Sequence, residues 1–127
     1  MMLRRPALVV LSAIAFALLA GDQVQARTVY DGGWSVVIAG QSGACAGSSY
    51  RFGITILNGI IRYGGSDAQF SGRVTPRGAV SVSVQSGDQV AAGGGRLGQN
   101  TGSGTWRGRS SQGPCAGVWS AQRRTDF

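Results

Sequence analysis

The chain has 127 residues, and its charged side chains are twelve arginines and five aspartates, with no lysine, glutamate or histidine. Without histidine there is no Ser-His-Asp or Cys-His arrangement, and the usual general base near neutral pH is missing. Without histidine or glutamate, and with both cysteines suited to pairing, the zinc ligand sets cannot be assembled, and no metal or other cofactor is implied.

Residues 1–26 read as a secretory signal peptide. Met1-Met2-Leu3-Arg4-Arg5 is a cationic start, the run from Pro6 to Ala20 is almost wholly apolar, and Val24-Gln25-Ala26 is an A-x-A-like cleavage site. The apolar run is short for a membrane span. The expected product is exported, periplasmic or secreted, with no transmembrane segment after cleavage. Residues 27–127 then form a single domain. Loss of Arg4, Arg5 and Asp22 leaves ten arginines against four aspartates, a net charge near +6. That balance favours anionic partners.

Within the domain the signal is strand alternation, and helical periodicity is absent. The first strand spans 33–39, with Trp34, Val36 and Ile38 on one face, and a Gly-rich loop follows that holds Cys45. The second spans 49–57, with Tyr50, Phe52, Ile54 and Ile56 on one face and Arg51, Gly53 and Thr55 on the other. Asn58-Gly59 is a type I′ hairpin turn, which needs positive φ at both positions. A two-residue loop pairs Leu57 with Ile60, Ile56 with Ile61 and Ile54 with Tyr63, so the apolar sets meet on one face. Leu57 and Ile60 are then left side by side on the outer face. The fourth strand spans 68–75, and Pro76-Arg77-Gly78 fits a three-residue hairpin loop with Gly78 left-handed. The fifth spans 79–84, with Val80, Val82 and Val84 alternating with serines, and Ser86-Gly87-Asp88 turns the chain. Three more strands follow near 90–97, 102–108 and 115–123.

Eight short strands with hairpin-length connections make an all-β meander. Closure removes its two open edges, so the expected fold is a small antiparallel eight-stranded up-and-down barrel, with a β-sandwich as the alternative. In such a barrel the first and last strands are antiparallel neighbours. Cys45, after the first, then comes beside Cys115, at the start of the last, and one disulfide is expected between them. Export permits that bond, and closing so long a loop contributes about 4 kcal/mol through loop-closure entropy.

Few residues are left to carry chemistry. The mature carboxylates are Asp31, Asp67, Asp88 and Asp126, of which Asp67 and Asp88 read as turn residues capping local backbone. No spacing favours a paired-aspartate site, so the chain is not expected to be an enzyme. The run Gly93 to Gly95 with Gly98, Gly102, Gly104 and Gly108 is not a phosphate loop, because no helix follows. Gly93, Gly95, Gly102 and Gly104 share inward parity with Leu97 and Trp106. They either make room for aromatics from across the barrel, such as Trp34, Tyr50, Phe52, Tyr63 and Phe70, or leave a ligand cavity, with filling by side chains the default. Trp34, Trp106 and Trp119 are expected in the core.

Arg51, Arg62, Arg73, Arg96 and Arg107 take outward positions on five strands, a cationic series suited to phosphate or carboxylate. The candidate binding residues are Arg51, Arg62 and Arg73 around the outer pair Leu57 and Ile60, because interfaces are enriched in Arg with an apolar centre. Outward aromatics for base stacking are not interleaved with these arginines, which argues against nucleic acid. The expected role is a non-enzymatic exported binding module for an anionic envelope component or a protein partner. A barrel holding a small ligand is the alternative.

Taken together, Tyr30-Asp31-Gly32-Gly33-Trp34-Ser35-Val36, Cys45 with Tyr50-Arg51-Phe52, Gly102-Ser103-Gly104-Thr105-Trp106-Arg107-Gly108 and Cys115-Ala116-Gly117-Val118-Trp119 resemble a group of small, Gly-rich exported proteins of alphaproteobacteria. The resemblance implies compartment and fold only. More distantly, a one-disulfide, Trp-bearing barrel is similar to the periplasmic metalloprotease inhibitors of Gram-negative bacteria, although the cysteine placement differs. That similarity would make Arg27-Thr28-Val29 an inhibitory trunk. Gly104-Thr105-Trp106 resembles a strand of avidin-like barrels.

Overall fold

The computed structural model describes residues 27–125, so the expected signal peptide lies outside the described residues. Eight antiparallel strands close into a barrel in sequence order. They are β1 (Gly32–Gly43), β2 (Ser49–Leu57), β3 (Ile60–Arg62), β4 (Gln69–Val74), β5 (Ala79–Ser86), β6 (Gln89–Leu97), β7 (Thr101–Ser110) and β8 (Gly113–Arg123). The barrel expectation therefore holds over the sandwich. Nine residue pairs between β1 and β8, from Trp34–Arg123 to Gly43–Cys115, close the seam. Cys45 and Cys115 are disulfide-bonded at one end of it, their Cα atoms 5.7 Å apart.

The turns follow the residues that demand them. Asn58 (φ 53°) and Gly59 (φ 79°) adopt the paired positive φ of a type I′ turn. Leu57 pairs with Ile60 and Ile56 with Ile61, as that turn dictates. The ladder then stops at Thr55–Arg62, and Tyr63 leaves it to stack on Phe70 at 4.6 Å. Gly78, at φ 92°, ends the Pro76 loop, and its amide donates to the Thr75 carbonyl at 2.9 Å.

The register fixes the width of the bore. A row of paired residues leaves β2 at Ser49 and passes through Ala39, Val118, Thr105, Gly94, Ser81, Arg73 and Ile60. It returns to β2 at Leu57, eight residues further on. Eight strands with a shear of eight give a strand tilt of about 36° and a bore that side chains fill.

How they fill it is decided by pairs of large and small residues. Trp119 lies over its row neighbours Gly104 and Gly95, where an added Cβ would stand 2.6 Å from the indole in either case. Its Nε1 donates to the Gly94 carbonyl at 3.1 Å. Trp106 is flanked in its own row by Gly117 and Gly93, and its Nε1 donates to the carbonyls of Ala39 and Val118, both at 3.2 Å. The inward glycines thus make room for tryptophans, here from neighbouring strands of the same wall. Trp34 is fully buried and Trp119 nearly so, whereas Trp106 is only half-buried, packed against the edge of the core. A residual apolar cavity of about 70 Å³ remains between Trp34, Phe52, Val82 and Trp119.

One end of the barrel is closed and the other open. At the end of the Asn58-Gly59 turn, Trp34, Ile56, Ile61, Val74 and Leu97 are buried, and Tyr30 from the preceding segment is buried with them. At the disulfide end the inward positions include Gly40, Ser86, Ala91, Gly108 and Ser110, which leave the bore open. Tyr50, inward by parity and expected inside, is 64% exposed there because its strand position lies at the rim. No helix among the described residues is long and apolar enough to cross a membrane.

Candidate binding site

The closed end is sealed by an arginine. On β8 the inward positions run Cys115, Gly117, Trp119, Ala121 and Arg123, so parity turns Arg123 towards the axis. Its guanidinium carbon lies 4.7 Å from the centre of the Trp34 ring, a cation–π contact. Its Nη1 donates to the Asp31 carbonyl at 2.8 Å, Nη2 to Val29 at 2.6 Å and Nε to Gln99 at 2.7 Å. The segment from Val29 to Asp31 is thereby tied across the end of the barrel, and of the expected inhibitory trunk Arg27-Thr28-Val29 only Val29 is held by Arg123.

Asp31 completes this arrangement. Its carboxylate accepts from the Thr28 hydroxyl at 2.6 Å and from the amides of Asn58 at 2.7 Å and Gly59 at 3.2 Å. Burial pushes its pKa up, but these hydrogen bonds outweigh burial and hold the carboxyl below the usual range. The other two described carboxylates are also engaged, Asp88 in part with its own backbone as a turn residue and both with groups beyond it. Asp88 accepts from the Ser111 side chain and from the Ser111 amide, the latter at 3.1 Å, across to the β7–β8 turn, and these bonds lower its pKa. Asp67 accepts from the Tyr63 hydroxyl at 2.8 Å, which raises the phenol's pKa. Asp126 lies outside the described residues. Among the described residues no group of three or more His, Cys or Asp could hold a metal ion.

The five outward arginines are all exposed, but register divides them. Leu57, Ile60 and Arg73 are consecutive in one row, and Arg62 stands two residues from Ile60 on the same face. These four come together near the closed end, where Leu57 is 44% and Ile60 38% exposed. Arg51 does not join them. It pairs with Val37 in the half of β2 nearest the open end, and Arg107 likewise lies in the open half of β7. Arg96 and the turn residue Arg77 extend the patch instead, with Arg96 Nη1 donating to the Arg77 carbonyl at 3.1 Å. Arg77 and Arg123 were not among the candidates read from the sequence, though strand parity through Trp119 and Ala121 would have found Arg123.

The closed end therefore presents the exposed arginines Arg27, Arg62, Arg73, Arg77 and Arg96 against one described carboxylate, that of Asp31, whose oxygens are already hydrogen-bonded. The open half carries Arg51, Arg107 and Arg109 with Asp67 and Asp88. Such a sector can hold an anion by bidentate guanidinium contacts, with Leu57 and Ile60 supplying apolar area. The fold and this surface define the chain as a small, closed, one-disulfide barrel with a polarised charge distribution. No protein-family model, curated protein or solved structure matches it.

Proposed function

We propose that the chain is an exported, non-enzymatic binding module that engages an anionic envelope component through the cationic sector at its closed end. The observation that carries this reading is the segregation of charge: Arg62 and Arg73 flank the exposed pair Leu57 and Ile60, Arg77 and Arg96 lie at the same end of the barrel, and no unengaged described carboxylate is nearby. The disulfide supports the export half of the proposal, since such bonds persist in oxidising compartments.

Vesicle flotation of the mature chain tests it, comparing anionic with zwitterionic lipid across a salt titration. Binding is expected only to the anionic vesicles and is expected to weaken steeply with salt. Replacing Arg62 and Arg73 by Ser should reduce it about tenfold or more, on the scale of each arginine's contribution near an anionic surface. Replacing Arg51 and Arg107 by Ser removes the same charge from the other half and should cost less. Equal losses from the two double variants would mean that net charge alone drives adsorption. Absence of vesicle binding, with capture of a protein from the same compartment, would assign the sector to a protein partner.

A further inference from the structure

We propose that the open end of the barrel is a second binding site, for a small amphipathic anion: an aromatic or short aliphatic carboxylate or sulfonate. Its apolar body would sit inside the mouth and its charged group at Arg109. The glycines do not make this site, because Trp106 and Trp119 occupy the space they leave. It lies above Trp106, where a basin of about 400 Å³ is enclosed by residues from six strands. That volume is within the range of small-molecule pockets.

The lining has the two parts such a ligand needs. Ile38, Val84, Ala91 and Trp106 form the apolar wall, with Gly108 packed against Ala91. Serine hydroxyls at the rim are already committed: Ser86 Oγ donates to the Asp67 carbonyl at 2.6 Å, and Ser48 Oγ to that of Cys45 at 2.6 Å. The one charged residue of the lining is Arg109, at an outward position on the β7 rim beside Val90, and it has no hydrogen-bond or ion-pair partner among the described residues; Tyr50, Gln89 and Gln112 add uncharged polar groups. The carboxylate of nearby Asp88 is turned to the Ser111 amide instead. An unpaired guanidinium beside an apolar basin is complementary to an anion with an apolar body. The Cys45–Cys115 disulfide forms part of the wall, so the mouth is braced before any ligand arrives, which lowers the cost of ordering it.

The test uses two fluorescent probes on the mature, oxidised chain: 1-anilinonaphthalene-8-sulfonate and its uncharged relative N-phenyl-1-naphthylamine. Both are expected to bind one to one with a blue-shifted emission. Ala91→Phe, which fills the basin, should abolish both signals, and Ser86→Phe provides a second filling should the first variant not fold by thermal melt. Arg109→Gln should weaken the sulfonate about fivefold, the scale of one solvent-facing ion pair, and leave the neutral probe unchanged. Vesicle binding at the opposite end should persist in Ala91→Phe, so the two sites fail separately. The proposal is overturned if neither probe saturates at one site, if a folded filled variant binds as the parent does, or if Arg109→Gln affects both probes equally.

Discussion

At the closed end the inward positions carry Trp34, Ile56, Leu97 and Ala121, capped by the guanidinium of Arg123. At the mouth, inward positions on β1, β5, β6 and β7 carry Gly40, Ser86, Ala91, Gly108 and Ser110. The backbone does not distinguish the two ends, because strand number and shear set one bore for the whole barrel. What differs is side-chain volume and what the connections bring. Tight turns and the segment Val29–Asp31 that precedes β1 seal one end. The longer connection holding Cys45 only stiffens the other. A bore at the limit of self-filling can thus be core at one end and basin at the other.

The largest expected effect sharpens that contrast within the tryptophans. Trp119→Ala, or Trp34→Ala, should cost about 3–5 kcal/mol in denaturant unfolding. Trp106→Ala, half-buried below the mouth, should cost clearly less. Equal losses would show that the core extends through the mouth.

Removing the disulfide addresses the open end alone. Cys45→Ala with Cys115→Ala should lower stability by about 4 kcal/mol, from the loop-closure entropy of a 70-residue separation. Amide exchange should rise first around 43–48 and at the start of β8. A uniform rise would mean that the bond constrains only the unfolded chain. Two free thiols in the exported protein, by non-reducing mass spectrometry, would overturn the pairing itself.

The arginines of the two ends make the third comparison. Arg123→Gln forfeits the contact with Trp34 and charge-assisted bonds to three carbonyls, and should cost about 2 kcal/mol. Arg109→Gln should leave the thermal midpoint nearly unchanged, since it breaks no bond among the described residues. Comparable losses would place a structural role at the mouth as well.

The smallest effect concerns acid. Asp31 has a folded pKa below its unfolded value, so the stability it contributes is present above the unfolded pKa, near 4, and is lost as pH falls through the folded one. Thermal midpoints of the parent should therefore fall more steeply below about pH 4 than those of Asp31→Asn. Parallel curves would mean that the hydrogen bonds from Thr28, Asn58 and Gly59 do not favour the charged form.

Much of the fold was legible because hairpins are decided locally. Alternation placed all eight strands, β2 to the residue, and Asn58-Gly59 set a register that the structure reproduces at Leu57–Ile60 and Ile56–Ile61. The expected β1 nevertheless ends at Ala39 and the observed one at Gly43, because pairing with β8 carries it past a bulge at Gly40/Ser42 that a Gly-rich stretch does not advertise. The candidate site was half legible. Adjacency of Leu57, Ile60 and Arg73 follows from two strand registers, whereas Arg51 stands apart from Arg62 because Arg62 pairs with Thr55, further along β2 towards the closed end.

By itself, then, the sequence determined strand alternation, turn types and the pairing of cysteines at the seam, because each depends on a handful of neighbouring residues or on strand order alone. Only the tertiary structure decided the shear, the lie of Trp106 and Trp119 over glycines, the inward seal made by Arg123 and the basin at the mouth. These depend on which rows meet after a full circuit of eight strands, a sum to which every connection contributes and which no single segment encodes.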